Sequence, residues 1–215
     1  MPHRFDATRC GDLSLSNHIV MAPLTRNRTS AGLVPNALMA QYHQQRAGAG
    51  LIISEATQVS AEGQGYLDTP GTYNAEQVTG WRRVADTVQA AGGQIVAQLW
   101  HAGRISHVSL QPGGQPTVSP TARRAIGKTF TTDGFVDVST PHALCLDELP
   151  RIVADYRHAA SLRRAGRFRR RRGAFGQRLP ARTVPARQHQ RRQRRVRRLH
   201  RPPRPSAAGG GAGGE

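Results

Sequence analysis

Three clusters of polar residues follow directly on short apolar runs, and these clusters contain the side chains whose types could do chemistry. They are Ala22 to Arg26 (APLTR), Glu55 to Gln58 (EATQ) and Gln98 to Arg104 (QLWHAGR). Hydroxyl and amide side chains at such positions can donate and accept hydrogen bonds. Because the carboxyl ends of parallel strands meet at one edge of a βα barrel, the spacing predicts one site that the three clusters share.

Each side chain in these clusters also has a purely structural interpretation. The Thr25 hydroxyl could satisfy only backbone groups at a strand end, and Trp100 could belong only to the core. Gln98 is the stronger candidate, since an amide in an apolar strand needs hydrogen-bond partners. Glu55 is interpreted as a structural residue rather than a general base.

Other kinds of site have little support in the sequence. His101 and His107 have no carboxylate or thiol at ligand spacing, so no metal site is expected. Cys10 and Cys145 lie in unrelated contexts, which indicates no disulfide framework and fits a reducing cytoplasm. There is no phosphate-loop or GxGxxG signature, no signal peptide and no apolar run long enough to span a bilayer, so a soluble cytoplasmic protein is expected.

The elements that position the clusters read as alternating strands and helices. Apolar runs without strict alternation at residues 18–24, 50–55 and 94–100 are typical of strands that are buried on both faces. Two helical patterns lie between them, which implies a parallel sheet with right-handed crossovers. A long excursion rich in Gly, Pro, Ser and Thr follows at residues 101–142, and long loops of this kind are usually functional.

Capping residues and apolar spacing set the expected helix boundaries. Asn36 can cap a helix that carries Leu38, Met39 and Tyr42. The second helix begins at Asn74, ends at the glycine pair after Ala91, and repeats apolar residues at three- and four-residue steps, namely Val78, Trp81, Val84 and Val88. The third has Asp147 near its cap, Pro150 in its first turn and an apolar stripe formed by Leu149, Ile152, Val153 and Tyr156.

The positive charge of the chain is concentrated at its carboxyl end. The formal net charge is +18, and residues 167–215 hold 16 arginines and one acidic residue, Glu215, for a net charge of +15. Removing this segment from the total leaves +3 for residues 1–166, which is an ordinary balance for a soluble enzyme. The tail has no apolar period from which a core could form.

Several linked motifs of residues 3–166 resemble the old yellow enzyme family of FMN-dependent alkene reductases. They are NHIVMAPLTRNR, PNALMAQYHQQRAGAGLIISEATQVS, GQGYLDTPGTY and QLWHAGRISHVSLQPGG, in the order of the family. The resemblance is greatest to the N-ethylmaleimide reductase-like branch, which reduces activated alkenes and nitro compounds with NAD(P)H. It implies a partial TIM (β/α)8 barrel of about three βα units, followed by an irregular or disordered Arg-rich tail.

The resemblance also assigns roles to residues at the strand ends. The candidate cofactor-binding residues are Ala22, Pro23, Leu24, Thr25, Ala56 and Gln98, and the candidate catalytic residues are Thr25, Tyr66 and Trp100. The Thr25 hydroxyl is expected to bond the isoalloxazine O4, and Gln98 the pyrimidine edge of FMN. Tyr66 and Trp100 are expected to shape the side of the pocket that receives the alkene or nitro substrate.

After Gly166 the sequence departs from the family. Read one base later, the message inferred from these residues allows the family pattern AGFDGVEVHSANGYL, although the middle base of each shifted codon is largely free. We therefore expect a reading-frame slip between about Ser161 and Arg164, which places Ala174, Gln177 and Leu179 where the family has the substrate-binding His and Asn and the proton-donating Tyr. The expected organisation is a barrel part at 1–166 and an out-of-frame tail at 167–215, with little or no activity in this chain.

A nucleic-acid-binding protein with a basic tail is the alternative interpretation. Arginines can neutralise phosphates, so the tail is expected to attract polyanions nonspecifically. Phe168 and Phe175 are its only aromatic residues, however, which is too few for base stacking, and no specific nucleic-acid partner is expected. A βα-barrel hydrolase ranks last, since no paired carboxylates or nucleophile are present. No membrane association is expected, and the oligomeric state is left open.

Overall fold

The computed structural model of the chain describes residues 3–165. The strands are β1 (Thr8–Cys10), β2 (Leu13–Leu15), β3 (Val20–Met21), β4 (Leu51–Gln58), β5 (Ile95–Trp100), β6 (Val118–Ser119), β7 (Lys128–Thr131), β8 (Gly134–Asp137) and β9 (His142–Ala143). The α-helices are α1 (Ala37–Gln44), α2 (Ala75–Ala90) and α3 (Leu149–Ala165). Short 3-10 helices occupy Ala31–Leu33, Ala61–Gly63, Val108–Leu110 and Pro112–Gly114.

A three-stranded parallel sheet in the order β3-β4-β5 carries the site. Helix α1 connects β3 to β4 and α2 connects β4 to β5, so the predicted alternation of strands and helices is confirmed. The extent of the first strand, predicted as residues 18–24, is wrong, because β3 pairs with β4 only at Val20 and Met21. Pro23 lacks the N–H that would continue the ladder, which accounts for the early end of β3.

Strand β4 is longer than its apolar run predicts, and it contains a β-bulge. Its pairing with β5 passes from Ile53 opposite Val96 to Ala56 opposite Gln98, so that one extra residue is accommodated on β4. A bulge bends its strand and changes the direction of the side chains beside it. The ladder then continues to Gln58, three residues beyond the predicted end of the strand.

Helices α1 and α2 cover the sheet with the main hydrophobic core. The buried residues of this core are Met39, Ala40, Ala47, Ile52, Trp81, Val84, Ala85, Val88 and Ile95. Trp81 is only 1% exposed, and its indole N–H donates to the carbonyl oxygen of Gly71 at 3.1 Å. The apolar spacing predicted for α2 therefore gives the buried face of this helix.

The predicted caps of both helices are present. The Asn36 side chain accepts a hydrogen bond from the Met39 N–H at 3.1 Å, and the Asn74 side chain accepts one from the Gln77 N–H at 2.9 Å. Each cap satisfies a backbone donor in the first turn, where no carbonyl of the same helix is available. Leu38 faces outward from α1 and is 59% exposed.

Two antiparallel hairpins lie outside the central sheet. The antiparallel hairpin β1–β2 packs Leu13 and Leu15 against Leu51 and Val96 of the sheet. Strands of three residues are too short to predict from their apolar pattern. The excursion predicted at residues 101–142 contains a second hairpin, β7–β8, whose turn at Asp133-Gly134 agrees with the turn signal in the sequence.

Helix α3 lies against the carboxyl-terminal part of the sheet. Its predicted apolar stripe is half-buried, and Ala159 is buried with Val59 and Leu99. Within residues 3–165, no helix combines the length and the apolarity that crossing a membrane requires. The expected boundary at residue 166, and the tail at 167–215, lie outside the described residues.

Candidate functional site

The carboxyl ends of β4 and β5 place Ala56 and Gln98 directly opposite each other. Two residues further along the same ladder, Gln58 lies opposite Trp100. Gln98 is half-buried, whereas the other three are buried. Two of the predicted cofactor-binding residues are therefore neighbours across adjacent parallel strands.

Thr25 reaches the same edge through the residue that follows it. The Arg26 N–H donates a hydrogen bond to the Glu55 carboxylate oxygen Oε2 at 3.1 Å. Glu55 precedes Ala56 in β4, so the peptide that joins Thr25 to Arg26 lies beside the end of that strand. The structure thus brings the segment that follows β3 to strand β4, whose residue Ala56 lies opposite Gln98 of β5.

Several polar groups at this edge have no hydrogen-bond partner among the described residues. They include the buried indole N–H of Trp100 and the buried carboxylate oxygen Oε1 of Glu55; the Thr25 hydroxyl and the Gln98 carboxamide are half-buried, so water reaches them in part. Polar groups that are shielded from water are normally paired, so unpaired ones at a single edge call for a ligand. Together they offer one hydroxyl, one amide and one N–H donor, which suits a heterocycle with alternating donors and acceptors.

The segment Ala22 to Leu24, predicted to lie against a flat cofactor, follows the end of β3. Ala22 is exposed, Pro23 is half-buried and Leu24 is 54% exposed. The segment therefore presents apolar side chains that are partly open to solvent.

Tyr66 and Trp100 form the other side of the edge. Their ring centroids are 5.6 Å apart, and the ring planes are inclined at 44°. Gly65, beside Tyr66, packs closely on the segment after β5, since a Cβ atom on it would lie 2.5 Å from the Cβ atom of Ala102. The two rings predicted to shape the substrate side are therefore in contact with each other.

A residue whose role the sequence did not reveal holds the Tyr66 loop. The buried Gln58 side chain accepts a hydrogen bond from the Thr69 hydroxyl at 2.9 Å and donates one to the Thr69 carbonyl oxygen at 3.2 Å. The Tyr66 carbonyl oxygen accepts from the same hydroxyl at 2.9 Å. The sequence did contain an indication of this role, because a glutamine side chain at the end of a buried strand requires hydrogen-bond partners.

Glu55 is the buried carboxyl group of the site, with 2% of its surface exposed. Desolvation raises its pKa from 4.5 to about 7, and the hydrogen bond and positive charge of Arg26 offset part of that rise. Its second carboxylate oxygen, Oε1, is buried and has no partner in the described residues. This carboxyl group therefore changes charge near neutral pH.

A second carboxylate joins α3 to the ends of β4 and β5. Arg151 of α3 donates to Glu62 at 2.6 Å, and His101 lies 3.5 Å from the same carboxylate. Desolvation would raise the pKa of Glu62, but the hydrogen bonds from His101 and Arg151 outweigh it and lower the pKa. In the part of the chain that the structure describes, no three His, Cys, Asp or Glu side chains are grouped to hold a metal ion.

Comparison with known sequences identifies the family. The profile of the NADH:flavin oxidoreductase / NADH oxidase family matches residues 5–168. Putative 12-oxophytodienoate reductase 11 of Oryza sativa subsp. japonica is 44% identical over 156 residues, which are 71% of this chain and 42% of that protein. Putative 12-oxophytodienoate reductase-like protein 1 of Arabidopsis thaliana is 41% identical over 150 residues, covering 69% of this chain and 44% of that protein.

Solved structures give the same result. Morphinone reductase in complex with tetrahydroNAD superimposes with a TM-score of 0.74 at 46% identity, over 78% of this chain and 48% of that one. The old yellow enzyme homologue from Zymomonas mobilis superimposes with a TM-score of 0.74 at 44% identity, over 78% of this chain and 46% of that one. The chain therefore spans less than half the length of the relatives named here, which are TIM-barrel enzymes. None of these similarities favours the alternative of a nucleic-acid-binding protein.

Proposed function

Because the chain belongs to the NADH:flavin oxidoreductase / NADH oxidase family, we propose that residues 1–166 are the flavin-holding, amino-terminal part of an alkene reductase. FMN is the cofactor of this family, and NAD(P)H is its reductant. The proposed substrates are small activated alkenes, such as enones or maleimides, and nitro compounds. The observation that carries the proposal is the position of Ala56 opposite Gln98 at the ends of β4 and β5, together with the hydrogen bond that the residue after Thr25 donates to Glu55 of β4.

The polar groups at this edge fit the pyrimidine rim of a flavin. That rim alternates carbonyl acceptors with an N–H donor, and the Gln98 carboxamide can donate and accept at once. The Thr25 hydroxyl can donate to a carbonyl oxygen such as O4. When bound, FMN supplies a carrier that accepts a hydride from NAD(P)H and delivers one to the substrate.

Residues of this chain would bind the flavin and influence its reactivity. A hydroxyl donor at Thr25 stabilises negative charge that develops on the ring system, as a preorganised donor does in other active sites. Pro23 and Leu24 provide an apolar surface against the rings, and Ala56 lets the β4 backbone approach closely. Tyr66 and Trp100 exclude water from the side where the substrate binds and orient it.

Flavin binding by the full chain tests this proposal. Titration with FMN, followed by quenching of flavin fluorescence, is expected to give saturable binding. Replacing Thr25 by Val or Gln98 by Ala removes one side-chain partner, and each substitution is expected to weaken binding by about tenfold. Thr132→Ala, in the exposed turn between β7 and β8, is the matched control. Absence of saturable binding, or an equal loss in the control, contradicts the proposal.

The organisation into a barrel part at 1–166 and an out-of-frame tail at 167–215 is part of the same proposal. Ala174, Gln177 and Leu179 stand where the family has its carbonyl anchors and proton donor, so we expect little or no alkene reduction by this chain. Sequencing the coding DNA across codons 155 to 175 tests the frame slip. An unbroken frame in fresh isolates, or oxidation of NADPH with an enone by the purified chain, would oppose it.

A further inference from the structure

Glu55 is a buried acidic residue at the candidate site, and the proposed function assigns no role to it. It lies within the buried strand β4 and is almost fully shielded from solvent. One carboxylate oxygen accepts the Arg26 N–H at 3.1 Å, and the other has no partner among residues 3–165. Burying a carboxyl group costs free energy, and the cost is larger when one of its oxygens lacks a hydrogen-bond partner. Packing alone does not explain why such a group is present here.

The bulge in β4 fixes the backbone of Glu55 in place. The hydroxyl groups of Ser54 and Thr57 both donate to the Glu55 carbonyl oxygen, at 2.9 and 3.0 Å. The Ser54 hydroxyl also accepts the Gln98 N–H at 3.2 Å, which ties the bulge to β5. The Glu55 side chain is therefore presented to the β3 segment from a fixed position.

The β3 segment, in contrast, has few attachments after its ladder ends. The ladder with β4 stops at Met21, and Pro23 has no N–H to donate. Beyond Pro23, the Arg26 N–H is the first backbone donor that finds an acceptor in the described residues, and that acceptor is Glu55. This hydrogen bond is therefore the attachment nearest to Thr25, and the next one along the chain is the Asn27 side chain, which donates to the Leu67 carbonyl oxygen.

We propose that Glu55 is a positioning residue whose buried carboxylate holds the Arg26 amide and thereby fixes the Thr25 hydroxyl at the edge shared with Ala56 and Gln98. This Glu55–Arg26 clamp rests on the proposed function in one respect, namely that Thr25 contacts the flavin. It assigns no proton transfer to Glu55. In this proposal, the backbone N–H of Arg26 makes the contact that orders the segment carrying Thr25, and its guanidinium group does not.

The clamp depends on the charge of Glu55. Burial raises the pKa of this carboxyl group to about 7, and the charged group that acts on it among the described residues is Arg26. The residues of β5 beside the bulge, Ala97 and Gln98, are uncharged. Hydrogen bonds to an ionised acceptor are stronger than those to a neutral one, so the clamp strengthens as the pH rises through the pKa of Glu55.

Nuclear magnetic resonance of the full chain tests the clamp without any ligand. The Arg26 amide resonance is expected to titrate with a midpoint near pH 7, together with the carboxyl carbon of Glu55 in the unmodified protein. Glu55→Gln should abolish the Arg26 step, whereas Glu62→Gln, which alters a half-buried carboxylate, should leave it. An Arg26 amide that does not titrate, or that titrates unchanged in Glu55→Gln, overturns the proposal.

The effect on the flavin is measured separately. In the unmodified chain, affinity for FMN is expected to rise severalfold between about pH 6 and about pH 8, and Glu55→Gln should flatten this profile. An Arg26 step without any FMN binding supports the clamp and contradicts the proposed function. FMN binding without an Arg26 step overturns the clamp and leaves the proposed function in place.

Discussion

The two ladders of the central sheet hold the site in different ways. Strands β4 and β5 pair over five residues on each strand, and both are largely buried. Strand β3 pairs with β4 over two residues, and Val20 at its outer edge is 47% exposed. The sheet itself therefore fixes Ala56 and Gln98, but it does not reach Thr25.

Side chains replace the missing ladder at both ends of β3. At its start, the Asn17 side chain accepts hydrogen bonds from the Gly50 and Ile19 N–H groups at 2.8 and 3.0 Å. At its far end, Glu55 accepts the Arg26 N–H. A strand held by two side chains is sensitive to single substitutions and to pH, whereas a strand held by a core is sensitive mainly to the loss of packing.

The largest expected effect is a loss of packing on the β4–β5 side. Trp81→Ala removes a fully buried indole between α2 and the sheet and is expected to lower the free energy of unfolding by about 4 kcal/mol. Val20→Ala, on the exposed edge of β3, removes a half-exposed side chain and should cost less than about 1 kcal/mol. Urea unfolding of both variants measures the contrast, and equal losses would show that the two ladders are equally supported.

The same contrast explains which elements could be predicted from the sequence. Strand β5 and helix α2 have long, regular apolar patterns and Asn74 as a cap, so their boundaries were predictable. The early end of β3 was not, since the apolar run continues to Leu24 and only Pro23 interrupts it. The bulge in β4 is supported by a tertiary hydrogen bond in which the Ser54 hydroxyl accepts the Gln98 N–H, and such a contact leaves no periodic signal.

The positions of the site residues were more predictable than their supports. The rule that chemistry lies at the carboxyl ends of parallel strands was enough to group Ala56 with Gln98, which lie opposite each other, and it predicts Thr25 at the same edge. Glu55 was interpreted only as structural, because its partner is a backbone N–H group, which no sequence pattern identifies. Gln58 stood in the right cluster without an assigned role, since its partner Thr69 lies in a loop that no spacing rule identifies.

The next effect is a pH dependence that originates in Glu55. Its pKa is raised from 4.5 to about 7, so the folded protein keeps a proton that the unfolded chain releases within that range. The free energy of unfolding should therefore fall as the pH rises through this window, by about 3 kcal/mol in total. Glu55→Gln cannot ionise, so above about pH 7 it should be more stable than the unmodified protein by about that amount.

Unfolding by urea at several pH values measures this difference. Glu62→Gln is the matched control, because hydrogen bonds from His101 and Arg151 lower the pKa of Glu62, and its contribution is lost on acidification instead. A Glu55→Gln variant that is less stable than the unmodified protein at high pH would mean that the hydrogen bond to Arg26 outweighs the cost of burying the charge.

The smallest of the three effects comes from the other end of β3. Asn17→Ala removes the hydrogen bonds that its side chain accepts from the Ile19 and Gly50 N–H groups and those that it donates to the Gly48 carbonyl oxygen and the Ser16 hydroxyl, which together should cost about 2 kcal/mol. Gly50 is required for this contact, since a Cβ atom on it would lie 2.1 Å from the Asn17 carbonyl oxygen.

Hydrogen exchange distinguishes a local effect of Asn17→Ala from a global one. Amides of β3 should exchange faster by more than the global loss of stability explains, while those of β5 should follow the global loss. Ser14→Ala, which removes an exposed hydroxyl of β2, is the control and should change little. If the amides of β3 and β5 respond equally to Asn17→Ala, the sheet as a whole holds β3. The segment that carries Thr25 would then not depend on Glu55, which contradicts the clamp.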